Sequence, residues 1–280
     1  MVVNQLKTVV LLGALTGVLL FVGQLVGGAS GLTFALIFAI IMNLGSYWFS
    51  DKIVLRMYRA KQINESENPR LYKIVKEVSE KSKIPMPKVY ILPSDGLNAF
   101  ATGRNPKHAA VAATAGILRA LNDDELKGVM AHEIAHVGNR DILISSIAAT
   151  IAGVISYVAF MARWAAIFGG RGRDSGNIVS LLVLAIITPL VATIIQLAIS
   201  RSREYLADAT GARIMQSSSG LASALEKLEA GAKNHPMRNV NQATAHMFIV
   251  SPLRGGAFLK LLSTHPPMNL RIQKLRNMKF

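Results

Sequence analysis

Cysteine is absent, and acidic residues are scarce: 16 Asp and Glu stand against 31 Lys and Arg in 280 residues. The first absence excludes structural disulfides, in keeping with a reducing, cytoplasmic setting for most of the chain. It also means that any transition-metal site must be built from His, Asp or Glu. The second absence leaves few carboxylates for such a site. A third is local: no Asp, Glu, Lys or Arg falls within Thr8–Val26 or Leu32–Phe49. Runs of this length without charge span a bilayer, which needs ~20 apolar residues. Internal repeats and low-complexity tracts are also missing.

What is present is grease. Hydrophobic residues make up 51% of the chain and the mean hydropathy is +0.36, too apolar for an ordinary soluble domain. Two further segments, Ile142–Ala162 and Ile178–Ile199, approach spanning length. Gly27–Gly31 turns the first pair and Gly169–Asn177 the second. Pro189 interrupts the fourth segment, as packed membrane helices tolerate. The net charge is +15. Its clusters flank the apolar runs: Lys52, Arg56, Arg59 and Lys61 after the second, Arg201 and Arg203 after the fourth, and Arg271, Lys274, Arg276 and Lys279 in the tail. That distribution fits the positive-inside rule and a lipid bilayer partner rather than nucleic acid. The expected layout is a transmembrane hairpin over 1–50, a cytoplasmic catalytic region over 51–141, a second hairpin over 142–199 and a second cytoplasmic region over 200–280.

Between the hairpins lies His132-Glu133-Ile134-Ala135-His136, an HExxH motif. Asn122, Asp123, Asp124 and Glu125 read as the start of the helix that carries it: Asn122 can cap, Glu125 falls three residues later, and acids crowd the positive end. Residues four apart share a helix face, so both imidazoles can bind one ion while Glu133 reaches a water on it. This is the arrangement of a zinc protease, two His ligands and a Glu as general base. A catalytic zinc needs a third protein ligand. The downstream acids are Asp141, Asp174, Glu204, Asp208, Glu226 and Glu229. Asn139 and Ile142 stand where a metzincin would have Gly and His, so the remaining pattern takes Glu from a later helix with an Asp one turn on. Glu204 and Asp208 have this spacing. Glu204 is the expected ligand, and Asp208 can hold the tautomer of a ligand His. The ligands can meet only if an even number of crossings separates them, and two are expected.

Pro69 opens an amphipathic helix over Arg70–Lys83 with Leu71, Ile74, Val75 and Val78 on one stripe. Val89–Leu92 is a strand, Leu97–Thr102 is short and extended, and Ala109–Ala113 is a third strand candidate. Residues 200–232 are helical. His108, His235 and His246 have no partner motif.

HExxH opening into a membrane hairpin, Arg203-Glu204-x-x-x-Asp208 just after it, the N-terminal hairpin and the basic body together resemble the HtpX family. These are membrane zinc metalloproteases linked to heat-shock quality control and related to CAAX prenyl endopeptidases. Leu97–Gly103, and Thr264-His265-Pro266-Pro267 followed by Arg271, are similar to further family segments. The resemblance implies a mainly α membrane protein, four transmembrane helices plus a zincin-like, gluzincin-type α+β cytoplasmic domain with a small sheet. It implies one Zn²⁺ and a multi-pass cell-membrane enzyme, its site facing the cytoplasm, that degrades misfolded membrane or unfolded polypeptides. A prenyl-protein endopeptidase and a non-catalytic metal-binding scaffold are the alternatives. It further implies that Asn98, Ala99 and Phe100 lie on an edge strand that binds extended substrate. His265 and Arg271 would stabilise the oxyanion.

Overall fold

The computed structural model describes residues 2–139, 141–143, 147, 201–234, 248–249 and 266–280. The chain begins with α1 (Val2–Met57), broken at Gly28, whose φ of 56° lies in the left-handed region that glycine enters without a Cβ penalty. The expected five-residue turn is thus reduced to one non-helical glycine, with helix on both sides. The arms run back along each other. Asn43 Nδ2 donates to Thr16 Oγ1 at 2.8 Å, and a Cβ on Gly23 would stand 2.5 Å from that of Ala35. Small residues that allow close approach and a polar bond between helices are how helices associate in lipid. Among the described residues, Gly28–Met57 is the one helix long and apolar enough to cross a membrane. Phe34, Ile37, Ile41 and Leu44 are exposed along it. The third and fourth apolar segments lie outside the described residues, apart from Ile142, Leu143 and Ile147.

The body follows as β1 (Lys61–Ile63), α2 (Pro69–Lys81), β2 (Lys88–Leu92), β3 (Ala99–Gly103), β4 (Ala109–Thr114), α3 (Ala115–Ala120) and α4 (Asp123–Gly138). Beyond residue 200 come α5 (Arg201–Met215), α6 (Ser219–Asn234) and α7 (Met268–Arg276). β1 and α3 were not expected from the sequence: β1 is three residues with a polar start, and α3 is a short run straight after a strand. The four-stranded mixed sheet has the order β1-β2-β4-β3. β2 and β4 are parallel, and the outer pairings are antiparallel.

Strand alternation explains how the sheet is covered on both faces. Val89, Ala99, Ala101, Val111 and Ala113 face α2 and α4 in the main core. Leu92, Phe100, Ala110 and Ala112 face the other way, onto Val54 and Leu55 at the end of α1 and onto Phe248. The base of the hairpin is therefore packed directly on the back of the sheet. The alanines of β3 and β4 give weak strand signals, but they let helix α4 lie close beneath the sheet.

Candidate metal centre

Helix α4 starts as its sequence dictates. Asn122 Oδ1 accepts from Glu125 N, and Glu125 Oε2 accepts from Asn122 N, both at 2.9 Å. This capping box fixes the register of the helix that carries His132, Glu133 and His136. Helix α5 then lies against it. On α5, Glu204, Asp208 and Gly211 recur at i, i+4 and i+7, one face. At Gly211 an added Cβ would fall 2.9 Å from His132 N, so only glycine permits this approach. The contact brings the two acids of the same stripe over the histidines.

The result is a convergent donor set. Nε2 of His132 and Nε2 of His136 are 3.1 Å apart. Glu204 Oε1 is 3.6 Å from the second and Oε2 is 3.8 Å from the first. Two nitrogens at ~2.05 Å from a tetrahedral ion would stand about 3.3 Å apart. Among the described residues, these three side chains form the His/acid group able to hold a metal, with ligand atoms within 4.8 Å of one another. The flanking carboxylates agree with that use. His132 Nδ1 is 2.9 Å from Asp208 Oδ1, and His136 Nδ1 is 3.0 Å from Asp141 Oδ2. Each Nδ1 can donate its proton to a carboxylate, which leaves both Nε2 lone pairs aimed at one point. Two imidazole nitrogens and a carboxylate oxygen are a zinc donor set, so the residues present fit the ion.

Burial pushes the Glu133 carboxyl up to about 7, and the nearby Glu204 charge adds to this against His136 and Arg271. The Ala101 N–H also bonds the Glu133 carboxylate, which ties the base to the edge strand. Burial would lower His136, but the Asp141 carboxylate, with Glu204 and Glu133, holds it up at about 10. His132 is pushed down by burial, against Asp208. Burial disfavours ionised Asp208, yet Arg271 and His132 hold it down at about 2.

Arg271 is 0% exposed. Its Nε and Nη2 donate to the two oxygens of Asp208 at 2.8 and 2.7 Å, and Nη1 donates to Ile249 O at 3.2 Å. Nη1 is also 3.6 Å from Glu204 Oε2. It therefore sits at the metal centre, as a bidentate partner of Asp208. His265 lies outside the described residues.

β3 is at the sheet edge, as the resemblance implies for Asn98, Ala99 and Phe100. Their side chains face inward. Phe100 is fully buried, with ring contacts to Tyr58 and Phe248. Asn98 accepts from Thr114 Oγ1 through its backbone oxygen at 3.0 Å, and its Oδ1 accepts from Ala99 N at 3.2 Å. Of the β3 main chain, Ala99 O accepts from Ile249 N at 3.3 Å. The exposed His108 bonds Asn105 and is outside the metal group, and His235 and His246 lie outside the described residues.

Two neighbours of the site escaped the sequence reading. Ile249 is an apolar residue in a segment without periodicity, and only its backbone acts. In sequence, Asp141 reads only as one more downstream acid that could serve as a ligand. Its signal was position: an acid five residues past a ligand His, just beyond the helix end, where the chain can fold back.

The profile of Peptidase family M48 matches residues 65–279. A "Protease HtpX homolog" of Syntrophotalea carbinolica is 58% identical over 278 residues, covering 98% of this chain and 99% of that one. Another, of Pyrococcus furiosus, is 53% identical over 272 residues, covering 96% and 94%. Among solved structures, S. mikatae Ste24p is similar in fold, with a TM-score of 0.52 at 18% identity, covering 98% of this chain and 66% of that chain. With residues 65–279 inside that profile and close relatives matched end to end, the chain belongs to peptidase family M48, as a zinc-dependent membrane metalloprotease of the HtpX type.

Proposed function

We propose that this enzyme is a multi-pass membrane endopeptidase whose centre faces the cytoplasm and which cleaves unfolded or damaged membrane polypeptides. The observation that carries the reading is the convergence of His132, His136 and Glu204 beside the buried carboxylate of Glu133. His132 Nε2, His136 Nε2 and a Glu204 oxygen would hold the zinc. When bound, the ion supplies Lewis acidity toward a peptide carbonyl and makes water easier to deprotonate. Glu133 takes the proton of the attacking water on its carboxylate and returns it to the leaving amine, a task suited to a group with a pKa near 7. Asp208 holds the Nδ1 proton of His132, and Arg271 holds Asp208 in place and ionised. Arg271, with His265, is the expected source of oxyanion stabilisation. Substrate main chain would align along β3, which suits an enzyme that reads extension rather than sequence.

Topology rests on the hairpin. Tyr47, Trp48 and Phe49 end its apolar stretch, with Lys52 stacked over Phe49 and Arg104 over Trp48 at 5.4 and 4.5 Å. Aromatic residues followed by basic ones mark a headgroup boundary on the cytoplasmic side. A reporter inserted at Gly28 should therefore lie outside the cytoplasm, and one at Lys61 or the C-terminus inside. A cytoplasmic Gly28 reporter would sink the topology without touching the metal centre.

The functional test is cleavage of an unfolded casein-type substrate by the purified full chain in detergent or proteoliposomes. A chelator should abolish cleavage and stoichiometric Zn²⁺ should restore it. Cleavage that persists in metal-free protein would overturn the reading.

A further inference from the structure

Each histidine of the centre faces a carboxylate on the side away from the ion. For His132 this is Asp208, one turn beyond Glu204 on the same helix. For His136 it is Asp141, in the first residues after α4, with Oδ2 3.0 Å from Nδ1. Asp141 is not loosely placed. It is buried, and its backbone N–H donates to His136 O at 3.3 Å, so main chain and side chain both fold back on the same residue. The cationic neighbours differ in how closely they are held. Asp208 is held by the buried Arg271, and Asp141 lies within charge range of Arg203, a largely buried guanidinium one residue before Glu204.

We propose that Asp141 is a positioning residue for the reaction: it fixes the His136 ring with Nδ1 as donor, so that Nε2 is the atom offered to zinc. Asp141 is not itself a ligand: it contacts Nδ1, on the side of the ring away from Nε2, and lies outside the three-residue metal group. The centre thus has one carboxylate behind each histidine. The inference rests on the zinc reading above, and its test separates the two.

Zinc-loaded wild-type protein, labelled with ¹⁵N in its histidines, should show His136 protonated at Nδ1 and metallated at Nε2. Absence of any metallated histidine would sink the zinc reading itself. Metal on His136 Nδ1 would overturn the role of Asp141 while leaving that reading intact. In parallel, Asp141→Asn should weaken zinc binding about 10–100-fold, the usual effect of removing a group that orients a ligand. It should also shift the visible spectrum of the Co²⁺-substituted protein. Asp141→Glu, which restores charge but not reach, should recover part of the affinity. Zinc binding by Asp141→Asn within about threefold of wild type, with an unchanged Co²⁺ spectrum, would also overturn the proposal. If that variant does not fold, the wild-type ¹⁵N assignment decides alone.

Discussion

Glu133→Gln should retain zinc and fold yet lose cleavage by about 10²–10⁴-fold, the range that a positioned general base supplies. The geometry makes this substitution clean. Glu133 is outside the three-residue metal group, so the donor set is untouched. Its carboxylate accepts the Ala101 N–H, and the amide oxygen of Gln can accept the same bond, which avoids an unsatisfied buried donor. What the amide cannot do is take a proton. The sign of the pH dependence follows from burial, which raises the Glu133 carboxyl to about 7. The working form is the carboxylate, so kcat/KM should fall as pH drops through that region, and bound zinc, being a cation, should move the fall lower. Residual cleavage by Glu133→Gln should lack this acid limb. A variant that cleaves within tenfold of wild type at equal zinc content would refute Glu133 as the base.

How much of this was legible beforehand depends on whether the information is local. The histidines and Glu133 are visible because a helix converts a spacing of four into a shared face, and the capping box announces where that helix starts. Glu204 and Asp208 are visible for a different reason: in a chain so poor in acids, few pairs have the required spacing. The structure adds why they arrive, since that stripe continues to Gly211, which admits the backbone of His132 at close range. Long-range pairings were not legible. Nothing in the residues around Ile249 announces that its N–H reaches Ala99 and its carbonyl reaches Arg271. Arg271 itself reads as one basic tail residue among several, yet it is fully buried against Asp208. Phe100 is the converse. It stands in the edge-strand segment, but strand alternation turns its ring away from the centre and into the cluster with Phe248 and Tyr58.

The widest separation of effects is expected among three carboxylates of neighbouring helices. Glu204→Gln should weaken zinc binding by more than about 100-fold and abolish cleavage at ordinary zinc concentrations, because it replaces an anionic oxygen donor by a neutral amide. Asp208→Asn should cost about 10–100-fold, the scale of a group that orients a ligand. It leaves the donor set intact but removes the counter-charge of Arg271, which would otherwise stand buried without its bidentate partner. Some loss of stability should therefore accompany the loss of affinity, and it should appear in unfolding of the metal-free protein. Glu226→Gln should do almost nothing to zinc. Its carboxylate pairs with Arg276 on the surface, both side chains about half exposed, and such pairs contribute roughly 0–1 kcal/mol. Isothermal titration of Zn²⁺ into the three metal-free variants gives the ordering directly. If Glu204→Gln bound zinc as tightly as Glu226→Gln, the third ligand would lie elsewhere. Asp208 would then lose its role too, because the same face of α5 carries both residues to the histidines.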